Sequence, residues 1–170
     1  GGVLNLVEAL NRDNLSAFVN IGSSDEYGDN EAPQIETQRE APISPYSMGK
    51  VGAAHFLQML YRTENFPATT LRFFLIYGEG QDNRRFLPQI IRGCLEDRSF
   101  PTSMGEQLRD FCFVQDVVEA VFLTFANPAA KGEVINIASG QPVSIRQVIE
   151  TVRKFTGRGG PQFGKVAYRS

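Results

Sequence analysis

Apolar side chains recur at two spacings along this chain, and each spacing predicts one kind of element. Where they recur every three or four positions, an amphipathic helix is expected. This pattern covers residues 2–11, 45–63, 85–96, 117–125 and 144–157. Where they run almost continuously, a strand buried on both faces is expected. Such runs cover residues 16–21, 69–77, 109–114 and 133–138. Strands alternating with helices predict an α/β fold with parallel pairing.

Capping residues support three of these helix boundaries. Pro45 suits the first turn of a helix, and Ser44 before it is a natural N-cap. Ser144 is followed three residues later by Gln147, which is the capping-box pattern. Gly157 is suited to end the last helix, because glycine tolerates the left-handed conformation found there.

A long loop separates the first predicted strand from the helix that begins at Pro45. Residues 28–45 contain Gly28, Pro33 and Pro42 among mainly polar residues. Loops of this length in compact domains usually carry function.

Composition and charge narrow the classes of function. The 17 basic and 19 acidic residues give a net charge of -2, so no global field attracts nucleic acid or an anionic membrane. No apolar run approaches the roughly 18 residues of a membrane span. Cys94 and Cys112 both have apolar neighbours. With a single histidine they predict neither a metal site nor a disulfide framework, and two reduced thiols favour a cytoplasmic protein.

The glycine-rich turn that usually opens a dinucleotide-binding fold is missing. The Gly-rich run at residues 157–160 follows a predicted helix, whereas the motif requires a preceding strand. The chain also opens inside a predicted helix without an initiator Met. We therefore expect a piece of a longer protein, which by itself binds NAD weakly or not at all.

Tyr46 and Lys50 are the strongest candidates for chemistry. Residues four apart stand on the same face of a helix. A nearby ammonium group favours the ionised form of a phenol. A tyrosine in this setting can take a proton from a sugar hydroxyl while hydride moves to a nicotinamide cofactor.

Several ordered segments around this pair resemble the extended short-chain dehydrogenase/reductase family, which contains nucleotide-sugar epimerases, dehydratases and reductases. The first is a strand ending in a Ser-rich turn before Tyr-Gly, and the Pro-Tyr-x-x-x-Lys helix start follows it. The segments cover residues 21–28, 45–50, 71–78, 109–111, 114–117 and 136–140. The resemblance implies a partial Rossmann-like, doubly wound parallel sheet with part of a small α/β substrate-binding domain.

The resemblance also implies catalytic roles. Tyr46 corresponds to the general base or acid, and Lys50 to the residue that holds the nicotinamide ribose and favours the phenolate. Ser23, four residues before Tyr27, corresponds to the catalytic Ser or Thr. Ser24 is the alternative if the turn is one residue short, and otherwise a substrate contact.

Ligand contacts and partners are implied in the same way. Phe73 and Phe74 correspond to residues near the nicotinamide of bound NAD or NADP. Arg109 and Arg169 correspond to arginines that grip the diphosphate of a nucleotide-diphosphate sugar, a role that suits bidentate guanidinium groups. Neither a metal, nor nucleic acid, nor a membrane is expected as a partner.

The implied domain organisation has two parts. Residues 1–80 correspond to the C-terminal half of a dinucleotide-binding domain. Residues 81–170 belong mostly to a substrate-binding domain, with the chain returning to the sheet around residues 109–138. In the family the helices at 2–11 and 45–63 pack across a homodimer interface, so a homodimer is expected.

The implied reaction is hydride transfer at C4 of a nucleotide-linked hexose, most simply by a 4-epimerase of the UDP-glucose 4-epimerase type. An NADPH-dependent reductase of a 4-keto-6-deoxy nucleotide sugar and a 4,6-dehydratase are the alternatives. A cofactor-binding or scaffold protein without activity is an alternative of another class.

The sequence departs from the family pattern at two places. Leu75 stands where many members have an Asn that contacts the substrate phosphate. Asp25 and Glu26 directly precede Tyr27, whereas the dehydratases have an apolar residue between the acidic pair and the tyrosine. The second departure favours an epimerase or reductase.

Overall fold

The computed structural model describes residues 2–168, which form five α-helices, nine short strands and two single-turn 3-10 helices. The helices are α1 (Gly2–Ala9), α2 (Pro45–Glu64), α3 (Phe86–Leu95), α4 (Val114–Ala126) and α5 (Ile145–Thr156). The strands are β1 (Phe18–Ser23), β2 (Ala68–Phe73), β3 (Leu75–Tyr77), β4 (Ser99–Pro101), β5 (Leu108–Arg109), β6 (Phe111–Phe113), β7 (Val134–Ile137), β8 (Val143–Ser144) and β9 (Gly160–Gln162). The 3-10 helices are Ser24–Tyr27 and Pro128–Ala130.

The chain divides into two compact units. The first contains the residues up to Phe74 together with Gln115–Ala138. The second contains Leu75–Val114 and the residues from Ser139 onward. Among residues 2–168, no helix is both long and apolar enough to cross a membrane.

A parallel sheet of three strands, in the order β1-β2-β7, forms the centre of the first unit. Helix α2 packs on β1 and β2, and β2 is buried along almost its whole length. The core cluster consists of Val7, Leu57, Leu60, Phe66 and Ala68. The predicted α/β class with parallel pairing is confirmed.

The predicted single strand over residues 69–77 is wrong, because the chain changes partners after Phe73. The backbone N–H of Phe74 donates to the carbonyl of Ile137 at 3.1 Å, whereas that of Leu75 donates to the carbonyl of Asp110 at 3.1 Å. The apolar run is therefore shared between β2 in the first unit and β3 in the second.

The second unit contains three two-stranded sheets, pairing β3 with β6, β4 with β9, and β5 with β8. Helices α3 and α5 enclose its core, which consists of Ile90, Cys94, Ile145 and Ile149 with five partly buried apolar neighbours. Asp110 interrupts the predicted strand over 109–114. Its carboxylate accepts the backbone N–H groups of Ser139 (2.7 Å) and Gly140 (2.8 Å), so its role is structural.

The predicted caps are confirmed. The Oγ of Ser44 accepts the backbone N–H of Ser47, and the Oγ of Ser144 accepts that of Gln147, both at 3.1 Å. Gly157 ends α5 with φ of 70° in the left-handed region. The two serine caps satisfy backbone N–H groups that have no partner inside a helix. The start of α2 is thereby set, and with it the position of Tyr46.

Candidate functional site

The candidate site lies at the carboxyl ends of the central parallel strands. Ser23 is the last residue of β1 and is paired in register with Phe73, the last residue of β2. Phe73 is paired in turn with Ile137 of β7. Ligands of open parallel sheets bind outside the carboxyl ends of the strands, because loops and helix starts converge there.

Ser23 is held in a capping box at the start of the 3-10 turn. Its Oγ accepts the backbone N–H of Asp25 at 3.2 Å, and its own backbone N–H donates to Oε1 of Glu26 at 2.9 Å. The side chain is half-buried. Because the Ser23 oxygen accepts a hydrogen bond from the backbone, its O–H group is available to donate a hydrogen bond to a ligand. Ser24, the alternative, is the first residue of the turn and is also half-buried.

Tyr46 and Lys50 project from the first turns of α2. The Nζ of Lys50 lies 5.6 Å from the centre of the Tyr46 ring and donates to the carbonyl of Ile21 at 2.7 Å. The Tyr46 side chain is 58% exposed, so its hydroxyl is accessible to a ligand. Lys50 therefore joins α2 to β1 only two residues before Ser23.

A buried charge network, which the sequence patterns do not predict, lies directly beneath the Ser23 turn. Arg72 and Glu26 have essentially no exposed surface, and Nε of Arg72 lies 2.7 Å from Oε2 of Glu26. The other nitrogens of the guanidinium bind Glu40 of the long loop and, at 3.1 Å, the hydroxyl of Tyr27. That hydroxyl donates to Oδ1 of Asn136 at 2.9 Å. One guanidinium thus joins β2, the turn and the loop.

The network favours the charged forms of Arg72 and Glu40. Burial opposes ionisation of Arg72, but hydrogen bonds with Tyr27, Glu40 and Glu26 outweigh it and raise the pKa of Arg72. Burial likewise acts to raise the pKa of Glu40, but hydrogen bonds from its own backbone N–H and from Arg72 hold that pKa below 4.5. The sequence signal for this network is Arg72, which lies within the mainly apolar run predicted as a buried strand. A buried guanidinium requires carboxylate partners.

The long loop also brings an acidic side chain to His55. Its Nε2 lies 3.3 Å from Oε2 of Glu40. His55 is on α2, and Glu40 is brought to it by the loop that closes over the turn. The network therefore reaches α2, the helix that carries Tyr46.

Gly22 leaves the space that the Glu26 carboxylate occupies. A Cβ at this position would lie 2.6 Å from Oε1 of Glu26 and 3.1 Å from Cγ of Arg72. We expect Gly22→Ala to lower the free energy of unfolding of the complete protein by about 1–3 kcal/mol, because overpacking displaces the buried pair. Urea unfolding measures this change.

Gly52→Ala is the matched control for that substitution. A Cβ at Gly52 of α2 has no neighbour within 4 Å, so Ala should be tolerated or stabilise the helix by about 0.5–1 kcal/mol. A Gly22→Ala protein as stable as the wild type would contradict the prediction.

Phe74 and Arg109 are the remaining predicted contacts that the structure describes. Phe74 follows the end of β2 and is half-buried. Arg109 is exposed on β5 of the second unit, where its Nη1 donates to the carbonyl of Leu108 at 2.8 Å. Arg169 lies outside the described residues. The assignment of both arginines to a diphosphate stays a prediction.

Comparison with known proteins decides the family. Residues 1–138 match the model of the NAD dependent epimerase/dehydratase family. The chain belongs to that family. This is a family of enzymes, and the match includes Ser23, Tyr46 and Lys50.

Similar proteins agree with this membership. An uncharacterized UDP-glucose epimerase of Bacillus subtilis is 26% identical over 154 residues, which cover 90% of this chain and 49% of that protein. The Bacillus cereus UDP-glucuronic acid 4-epimerase in complex with NAD superposes with a TM-score of 0.85 at 27% identity, covering 96% of this chain and 55% of that one. The Pseudomonas aeruginosa protein RMD complexed with NADPH superposes with a TM-score of 0.86 at 27% identity, covering 96% and 60%.

These matches confirm the Rossmann-like prediction, and both solved structures hold a nicotinamide cofactor. The chain spans about half the length of the curated relatives it matches. Other relatives are named UDP-glucose 4-epimerase and dTDP-D-glucose 4,6-dehydratase.

Proposed function

We propose that the complete protein transfers hydride at C4 of a nucleotide-diphosphate hexose and that its reaction is 4-epimerisation. The observation that carries this proposal is the placement of the Lys50 ammonium 5.6 Å from the Tyr46 ring and 2.7 Å from the carbonyl of Ile21. The acid/base pair and the Ser23 turn are thereby attached to the same strand end.

The donor groups at this strand end suit a nicotinamide nucleotide. The Lys50 ammonium can bind ribose hydroxyls, and Phe73 and Phe74 offer apolar surface for a nicotinamide ring. When bound, NAD supplies a hydride acceptor and donor at C4 of the sugar. The cofactor is therefore proposed to be NAD or NADP.

The residues of this chain handle the proton. Tyr46, acting as the base, takes the proton of the C4 hydroxyl as the carbonyl forms, and returns it when the 4-keto sugar is reduced on its other face. The hydroxyl of Ser23 donates a hydrogen bond to the same sugar oxygen and orients it. Lys50 stabilises the phenolate by its positive charge.

The environment of Glu26 supports epimerisation over dehydration. A 4,6-dehydratase needs an acid and a base that reach the substrate beside the catalytic hydroxyl. Glu26 has no exposed surface, and both of its oxygens are bound, to Ser23 and to Arg72. It cannot exchange a proton with a sugar in this arrangement.

Reduction of a 4-keto-6-deoxy nucleotide sugar by NADPH is the second candidate. It is favoured by the similarity to RMD, whose structure holds NADPH. The turn Gly-Ser-Ser-Asp-Glu-Tyr-Gly at residues 22–28 is compatible with both reactions. The same Ser23, Tyr46 and Lys50 would act, but the proton would move only from Tyr46 to the sugar.

The proposal includes the remaining expectations. Arg109 and Arg169 are proposed to bind the substrate diphosphate, and Ser24 to contact the sugar. Residues 1–80 are assigned to the cofactor domain and 81–170 mostly to the substrate domain. A cytoplasmic homodimer that pairs through α1 and α2 remains the proposed state.

Product analysis separates the candidate reactions. The complete protein is incubated with NAD and UDP-, GDP-, CDP- or dTDP-hexoses, and the sugars are identified by NMR. We expect an equilibrium mixture of C4 epimers with no net reduction of the cofactor. Loss of water to a 4-keto-6-deoxy sugar would identify a dehydratase, and NADPH oxidation by such a sugar would identify the reductase. No conversion in any arm would contradict both candidates.

A further inference from the structure

We propose that Glu26 is a positioning residue that sets the direction of the Ser23 hydroxyl, and that Arg72 holds Glu26 in place. This inference rests on the proposed function, because it assumes that Ser23 contacts the substrate. Glu26 itself touches no ligand in this role. It acts through the backbone of Ser23.

The first step of the argument is the contact between Glu26 and Ser23. Oε1 of Glu26 accepts the Ser23 backbone N–H at 2.9 Å, while the Ser23 oxygen accepts the N–H of Asp25 at 3.2 Å. These two bonds hold the backbone and the side-chain rotamer of Ser23 together. A change at Glu26 removes the first bond, so the backbone of Ser23 is held less firmly and its hydroxyl samples other directions.

The second step is the geometry of Arg72. Its Nε binds the other oxygen of Glu26 at 2.7 Å, so each carboxylate oxygen has its own partner. The opposite side of the guanidinium binds Glu40, and Tyr27 contributes its hydroxyl and its ring, whose centre is 4.8 Å from Cζ of Arg72. Arg72 is therefore fixed from three sides, and the Glu26 carboxylate has one position available.

The third step is the connection to the catalytic helix. Glu40 also contacts His55 at 3.3 Å, and His55 lies on α2 with Tyr46 and Lys50. The loop that carries Glu40 is closed on the turn by the backbone N–H of Ala41, which donates to the carbonyl of Glu26 at 3.1 Å. The network thus sets the turn that carries Ser23 against the helix that carries Tyr46.

The test is a double-mutant cycle in the complete protein with Glu26→Gln, Ser23→Ala and the two combined. We expect Glu26→Gln to lower kcat by roughly 10- to 100-fold, because a misplacement of about 1 Å has effects of this size. KM for the nucleotide sugar should stay within about twofold, since Glu26 does not contact the substrate. In the Ser23→Ala protein, Glu26→Gln should cause no further loss of kcat, because the group that it positions is already missing.

Each outcome decides a different point. An equal loss from Glu26→Gln in both backgrounds would overturn the positioning role, since Glu26 would then act independently of Ser23. An unchanged kcat for Ser23→Ala would instead overturn the role of Ser23 in the proposed function. The failure of the inference and the failure of the proposed function are therefore distinguishable.

Two further variants keep the test valid if Glu26→Gln impairs folding. Glu26→Asp retains the charge but is one methylene shorter, so it cannot reach both Ser23 and Arg72. It should show the same loss of kcat and the same lack of additivity with Ser23→Ala.

Thr69→Val controls for lost stability in β2, because it removes a buried hydrogen bond of 2.7 Å from the Thr69 hydroxyl to the carbonyl of Ala130. Thr69→Val should leave kcat within twofold of wild type. A comparable fall in kcat for Thr69→Val would assign the effect of Glu26 to stability and overturn the inference.

Discussion

Replacing Tyr46 by Phe is expected to lower kcat of the complete protein by roughly 10²- to 10⁴-fold, the contribution of a positioned acid or base. The phenylalanine ring has the same shape but no hydroxyl to exchange a proton with the sugar. Cofactor affinity should change little, because Lys50 keeps its bond to the carbonyl of Ile21. Steady-state kinetics and a cofactor titration measure the two effects separately.

Tyr61→Phe is the matched control, because it makes the same change on the same helix. Tyr61 lies near the end of α2, with its ring close to Gly132, well away from the Ser23 turn. Its kcat should stay near that of the wild type. A Tyr46→Phe protein with wild-type kcat would refute the assignment of Tyr46 as the catalytic acid and base.

Replacing Arg72 by Met is expected to destabilise the first unit strongly. It leaves the carboxylates of Glu26 and Glu40 without their shared cation in a buried setting. Removing one partner of a buried pair costs about 3–5 kcal/mol, because the remaining charge stays desolvated. Urea unfolding of the complete protein, followed by a probe in this unit, measures the loss.

Arg12→Met provides the comparison. Arg12 pairs with Glu64 at 2.6 Å in the same unit, but both side chains are 40% or more exposed. An exposed pair contributes at most about 1 kcal/mol, because water and salt screen it. Equal losses for the two arginine variants would contradict the view that burial makes the Arg72 network important.

The pH dependence of stability supplies a second measurement on the same variant. Because the pKa of Glu40 is below 4.5 in the folded protein, its contribution is complete above pH 4.5 and is lost as the pH falls through the folded value. In Arg72→Met one source of this lowered pKa is removed. The loss of stability below pH 4.5 should therefore be smaller than in the wild type, and an unchanged pH profile would argue against the Arg72–Glu40 contact.

Local patterns in the sequence predicted most of the helices and strands, and they predicted the Tyr46 and Lys50 pair of the site. Ser44 and Pro45 set the start of α2 through interactions within four residues, and that start places Tyr46 and Lys50 on one face. The resemblance to a family added Ser23, because the order of several segments carries information that spacing alone does not. These features were predictable, since each depends on near neighbours or on a shared motif.

Only the tertiary structure revealed which groups surround those residues. Arg72 belongs to an apolar run in the sequence, yet its partners Glu26 and Glu40 lie 46 and 32 residues away. The change of partner after Phe73 is equally invisible locally, because both halves of the run are apolar and extended. The sequence alone thus identifies the Tyr46 and Lys50 pair. The packing of distant segments decides which groups hold Ser23 in place. The physical reason is that a buried charge is stable only where partners from separate segments converge on it.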